Sequence, residues 1–295
     1  MAPWFWLGVL GGMLWALGYV SLSAAVESIG HDTSRIVAVG GTVTEIVYAL
    51  GAGARLVGVD TSSTYPEAAT RLPQVGYQRA LSVEGVLSLR PSLVLATAEA
   101  GPPAALRQLQ AAGTPVLTVP APYTVEGAQT KIRLIAQALK LTAQGEQLVQ
   151  ALTQDIAMTN SLLQSARAQP KVLFLYARGQ GALQVSGRGT AAEAMVTLAG
   201  GVSAVTGYEG YKPLTPEAAI AAAPDVLLMP ARGLDSVGGI DELLKAPGVA
   251  LTPAGQERRI VAMDDLYLLG FGPRLGQAVR DLAVFLHPEL ERYRQ

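Results

Sequence analysis

"LSVEGVLSLRPSLVL" (Leu81 to Leu95) reads as a helix start, a short helix and a buried strand in succession. Ser82 is placed to cap the helix, and Glu84 falls in the first turn, where the positive end of the helix dipole favours a negative charge. Pro91 ends the helix, and the β-branched and leucine run behind it has the form of a strand buried on both faces. The same order returns at "LTPEAAIAAAPDVLL" (Leu214 to Leu228), with Thr215 at the cap, Pro216 at the first helical position, Glu217 in the first turn and Pro224 before the strand. Earlier in each half, "GTVTEIVYAL" (Gly41 to Leu50) and "GTAAEAMVTL" (Gly189 to Leu198) share G-T-x-x-E-x-x-x-x-L. Two matches in the same order, each at a strand-helix junction, predict two lobes of related topology, and the cleft between them is the expected ligand site.

Working outward, strands are predicted at "RIVAVGG", "RLVGVD", "SLVLAT" and "PVLTVP" in the first half and at "KVLFLYARG", "GALQVSG", "DVLLMP" and "RIVAMD" in the second, separated by helical patterns. Strands alternating with helices imply an α/β fold of two Rossmann-like lobes, each with a central parallel sheet. From Val125 to Ala168 no proline occurs and Ala, Gln and Leu dominate. The part beyond Gly145 fits a helix of roughly 22 residues, about 33 Å long, a candidate spine between lobes. The expected division is therefore a leader or anchor over 1–25, an N-terminal lobe over 33–142, a linking helix over 143–169 and a C-terminal lobe over 170–295.

"MAPWFWLGVLGGMLWALGYVSLSAA" carries no charge, runs apolar and ends in small residues. It reads as an export signal, cleaved near Ser23 to Ala25 or retained as an N-terminal anchor, and a periplasm is the expected compartment. With no cysteine in the sequence there is no disulfide and no cysteine-linked lipid. Net charge is −1 without a basic run, which excludes the electrostatic footprint of a nucleic-acid binder. The two histidines, His31 and His287, stand at opposite ends of the chain, so neither a His/Cys zinc or copper cluster nor a His-based triad is available.

"SGRGTAA" (Ser186 to Ala192), with Glu209 beyond it, nominally fits a dinucleotide fingerprint, and on that pattern a secreted oxidoreductase is a rival reading; the repeat explains the same glycines as a helix-opening turn. Asp264 and Asp265 end a strand and read as solvated or capping carboxylates rather than catalytic ones. "LPQVGYQRALS" (Leu72 to Ser82) is the unusual loop, presenting Tyr77 two residues before Arg79. A phenolate is a hard anionic ligand suited to ferric iron and to haem. Free tyrosine titrates near pH 10, so ligation at neutral pH needs the metal and a neighbouring cation such as Arg79. Packing of the tyrosine on its own loop is the alternative, as helix-start chemistry alone is for Glu84 and Glu217.

Taken together, "VGGTVTEIVYALGAGARLVGVD", "YPEAATRLPQVGYQRALSVEGVLSLRPSLVLA", "AGPPAALRQLQAAGTPV", "LAGG" and "GYKPLTPEAAIAAAPDVLLM" resemble the periplasmic haem-binding proteins of bacterial ABC haem importers, from about Arg35 to Leu286. "GYQRALSxEG" is the specific part; binders of cobalamin or ferric siderophores on the same fold share the Glu-helix-Pro pattern without it, and are the same-fold rival. The resemblance implies a non-enzymatic, monomeric carrier of haem. It makes Tyr77 the axial iron ligand and Arg79 the partner of its phenolate oxygen, with Arg232, in "PARGLDSVGG", reaching the haem from the other lobe; a solvated loop arginine is the alternative for Arg232. Tyr176, Tyr208 and Tyr211 are possible wall residues. Glu84 and Glu217 become the carboxylates offered to arginines on the two-subunit inner-membrane ABC permease, one from each lobe. Where some members supply a second-lobe histidine as another ligand, this sequence has none available, so a five-coordinate or water-completed iron is expected.

Overall fold

In the computed structural model, which describes residues 32–120, 122–177 and 183–293, the first lobe is organised by strands β1 (Ile36–Val39), β2 (Leu56–Val59), β5 (Leu93–Thr97) and β6 (Val116–Val119). They pair in parallel in the order β2-β1-β5-β6. β1 and most of β5 are fully buried, which is why both read as unbroken apolar runs rather than alternating ones. A two-stranded antiparallel ribbon, β3 (Gly76–Tyr77) with β4 (Ala80–Leu81), stands outside this sheet. Helices α1 (Gly41–Ala49), α2 (Val83–Ser88), α3 (Pro103–Ala111) and α4 (Val125–Ala138) complete the lobe. The proposed leader, residues 1–25, lies outside the described residues.

The second lobe carries β7 (Lys171–Tyr176), β8 (Gln184–Ser186), β9 (Val202–Ser203), β10 (Tyr211–Pro213), β11 (Val226–Pro230) and β12 (Ile260–Met263), in the order β10-β8-β7-β11-β12 with β9 added to β7. Its centre is parallel, as the strand-helix alternation predicts. β8 and β10 join as an antiparallel flank, because the short segment between β7 and β8 allows a return but not a crossover. Among the helices are α6 (Ala191–Leu198), α7 (Pro216–Ala222), α8 (Ala231–Ser236), α9 (Asp265–Leu269) and α10 (Leu275–Leu286).

The repeat that suggested two lobes is visible as matched structure. Ser82 Oγ accepts from Gly85 N at 3.0 Å at the start of α2, and Thr215 Oγ1 accepts from Ala218 N at 3.2 Å at the start of α7. β5 and β11 then begin at the same distance from their caps, at Leu93 and Val226. The "SGRGTAA" glycines are absorbed in a helix start: Glu193 N donates to Thr190 Oγ1 at 3.1 Å and Gly189 N to Glu193 Oε2 at 2.6 Å, a reciprocal capping arrangement that occupies donors a phosphate would need.

Between the lobes runs α5 (Thr142–Leu163), 22 residues long. Gly145 lies inside this helix, where a Cβ would sit 2.5 Å from the Ala136 methyl of α4. Gly276 of α10 gives the same close approach on the other side, facing Asp155. One apolar core therefore runs without interruption from Ile36 and Ile46 through Ile135, Val149 and Leu152 to Val172, Met195 and Leu282. No described helix is both long and apolar enough to cross a membrane.

Candidate functional site

Tyr77 is carried on the β3/β4 ribbon at the carboxyl edge of the first sheet, the edge at which open α/β sheets bind ligands. Gly76 has φ +98° and a Cβ there would approach Ala80 O at 2.8 Å, so only glycine allows the turn that presents the tyrosine. The ribbon is fixed by a carboxylate the sequence reading did not single out. Asp60, fully buried at the end of β2, accepts from Gly40 N at 2.7 Å, Ser62 N at 2.9 Å, Ser63 Oγ at 3.0 Å and Gln78 N at 3.1 Å. From the other side Gly101 N donates to Gln78 O at 2.8 Å and Leu81 N to Gly101 O at 3.0 Å. Tyr77 itself is partly buried, and Arg79 stands exposed at the ribbon tip.

Across the cleft the second lobe presents phenols. Tyr211 lies 6.1 Å from Tyr176 and 6.4 Å from Phe174, ring centre to ring centre. Although 44% of its surface is open, its hydroxyl end is desolvated, and together with the neighbouring Tyr123 and Tyr176 this pushes its pKa up to about 12. Tyr123, from the first lobe, is also raised, chiefly by burial and then by the Glu99 charge. The positive charge of Arg79 pulls both phenols the other way. Tyr211 and Tyr123 are thus neutral hydroxyls at pH 7, suited to walls and hydrogen bonds.

Arg232 lies in the first turn of α8 at the carboxyl end of β11, exposed, with its peptide and charge acting on Asp265. Asp264 caps α9 by accepting from Tyr267 N at 2.9 Å, the capping role expected of it. Tyr208 donates to Val185 O at 3.1 Å under the Lys212 ammonium and lines a separate cavity of about 180 Å³ with Leu173, Leu214 and Ala218, away from the phenol group. Glu84 and Glu217 are both exposed in the first turns of their matched helices. At the floor of the cleft Lys131 is 4% exposed, donates to Gly270 O at 3.2 Å and is pushed down to about pKa 8 by burial, partly offset by Glu99.

The two-lobe α/β frame is what the comparisons with known proteins return. Residues 36–267 match the periplasmic binding protein family. The chain belongs to that family. Among periplasmic binding proteins of known structure, it is similar to the periplasmic haem-binding protein RhuT from Roseiflexus sp. RS-1 in apo form, at 49% identity and a TM-score of 0.85, covering 88% of this chain and 100% of that one. An uncharacterized ABC transporter substrate-binding lipoprotein, YvrC of Bacillus subtilis (strain 168), is 27% identical over 89% of this chain and 82% of its own length. A vitamin B12-binding protein of Yersinia pestis (strain Pestoides F) is 33% identical over 57% of this chain and 58% of its own length.

Two outcomes follow for this periplasmic binding protein. Asp60→Asn removes acceptors from buried N–H groups and should cost about 2 kcal/mol in urea unfolding, with faster amide exchange at Gln78; unchanged stability and exchange would remove Asp60 from its anchoring role. Lys131 has a folded pKa below its unfolded one, so its burial penalty is complete below pH 8 and is relieved as pH rises toward 10.5. Stability of the wild type relative to Lys131→Met should therefore rise by the order of 2 kcal/mol between pH 8 and 10. A difference flat with pH would contradict this.

Proposed function

We propose that this protein is a carrier that binds haem in the cleft between its lobes in the periplasm and delivers it, chemically unchanged, to an inner-membrane ABC permease. The observation that carries the reading is the ribbon: a glycine-dependent turn, anchored by a buried carboxylate, offers a phenol and a guanidinium to a cleft walled by neutral aromatic hydroxyls. In this reading Tyr77 binds the iron as tyrosinate, and Arg79 stabilises the anionic oxygen, since a cation beside a phenol lowers its proton affinity. Arg232 reaches the haem from the opposite rim, where a guanidinium matches a propionate. Similarity to RhuT supports the cargo, and similarity to YvrC supports the ABC partner.

The delivery half assigns Glu84 and Glu217 to the permease. Each is exposed at the start of a matched helix, one per lobe, so a single carrier presents two like charges to a two-subunit partner. We take residues 33–142 and 170–295 as the lobes and 143–169 as the linking helix, with 1–25 as the export leader or anchor and the mature protein monomeric. Because the core is continuous across the lobes, cargo release then requires the permease to pry them slightly apart.

Titrating haemin into the purified protein tests the cargo and its ligand together. The expected result is a Soret and charge-transfer spectrum of high-spin tyrosinate ligation, abolished in Tyr77→Ala and weakened about tenfold in affinity in Arg79→Ala. Glu84→Ala with Glu217→Ala should leave that spectrum intact while abolishing haem-stimulated ATP hydrolysis by the permease in vesicles. An unperturbed haemin spectrum alongside binding of cobalamin or a ferric chelate would overturn the proposal, as would nicotinamide-dependent turnover.

A further inference from the structure

Five residues of the second lobe, Gly270 to Arg274, make a buried contact with the first. Gly270 O accepts from Thr42 Oγ1 at 2.8 Å and from Lys131 Nζ at 3.2 Å, donors from α1 and α4. Phe271 is 1% exposed with its ring centre 5.6 Å from that of Tyr123, and it holds φ +51°, a left-handed conformation rare for a bulky residue. Arg274 closes the segment with two charge-assisted bonds to Glu45 of α1, Nε to Oε1 at 2.7 Å and Nη2 to Oε2 at 3.0 Å. Its guanidinium is stacked between Tyr65 of the first lobe, at 3.6 Å, and Tyr267 of the second, at 4.9 Å. The side chain of Glu45 is only 5% exposed and that of Arg274 22%.

Among the described residues this pair differs from the exposed ion pairs. Arg71–Glu67 and Lys245–Glu242 each lie within one helix, and Arg133–Glu146 and Arg258–Asp241 join surface elements; all four are solvent-exposed, a class of contact that contributes little. Arg280–Asp155 ties α10 to α5 through a single contact at 3.6 Å, with both side chains more open than Glu45. Glu45–Arg274 is bidentate, largely buried and joins the lobes, so removing either partner strands a charge away from water. A bulky residue in the left-handed region persists only where its surroundings over-determine it. Here the segment is held from both lobes, and the ring of Phe271 packs against that of Tyr123 from the first lobe.

We propose that Gly270 to Arg274 form a cross-lobe clasp, locked by Glu45 and Arg274, that sets the lobe spacing before ligand arrives and must be strained or opened for cargo to leave. Glu45 and Arg274 are positioning residues, acting through Phe271 and Tyr123 rather than on the cargo. The statement about spacing stands on the clasp geometry alone; the statement about release rests on the haem-carrier reading.

Amide hydrogen exchange on the full-length ligand-free protein tests the first statement without any ligand. In Glu45→Gln, amides of residues 268–275 and of the first turn of α1 should exchange about tenfold faster or more, as expected for loss of charge-assisted bonds, with the sheet amides unchanged. Arg133→Ala, which breaks an exposed ion pair, should leave the clasp amides as they are. Arg274→Lys, which keeps the charge but loses the two-pronged geometry, gives the same readout should Glu45→Gln not fold. Clasp amides exchanging at the wild-type rate in the folded variant would overturn the clasp. For release, haem transfer to apomyoglobin should accelerate about tenfold in the same variant with the tyrosinate spectrum unchanged; an unchanged rate would overturn the release role. A wild type that takes up no haem would sink the cargo reading, with the exchange result still deciding the clasp.

Discussion

The candidate site depends on one buried carboxylate. Asp60 receives four hydrogen bonds, from the end of β1, from its own turn and from the ribbon that carries Tyr77. A carboxylate so enclosed is tolerable because its oxygens are satisfied by these donors, and removing it would leave their N–H groups unpaired. The ribbon is too short to hold itself, since two residues per strand cannot fix a conformation in isolation. Its placement relative to the sheet is therefore an electrostatic consequence of Asp60, with Gly76 supplying the backbone freedom.

A second constraint acts at larger scale. α5 packs between α4 and α10 at distances only glycine permits, and the apolar core passes through it from one sheet to the other. Lobes joined this way do not swing freely, because opening them exposes core surface. In the proposed carrier, specificity then comes from groups set in advance at the cleft edges, among them the neutral phenols of Tyr123 and Tyr211. The cross-lobe contact of Gly270 to Arg274 belongs to the same economy of small motion.

Much of the fold was legible in the sequence because its signals are local. Caps at Ser82 and Thr215, prolines before β5 and β11, and glycine-threonine helix openings each act within a few residues, so a repeat in the text became a repeat in space. The antiparallel flank of β8 and β10 was not legible, as three-residue strands carry no periodicity that states direction. In the site, Tyr77 and Arg79 stood out by their spacing, whereas Asp60 did not, because its partners are backbone groups gathered from separate turns. Glu45 and Arg274 are 229 residues apart, and although Glu45 is the glutamate of the repeated G-T-x-x-E, nothing local in the sequence links it to Arg274. Tyr208 looked like its neighbour Tyr211, but the turn into β10 directs it to Val185 and its own small cavity.

The central claim is that the ribbon tyrosine meets the iron between the lobes. The most direct measurement is the anomalous scattering of iron in crystals of the haem-loaded protein. The account predicts an iron peak within bonding distance of Tyr77 Oη, with the porphyrin between Arg79 and the Tyr211 wall. An iron peak bonded to another residue, or haem lodged outside the cleft with Tyr77 turned into its own loop, would contradict it.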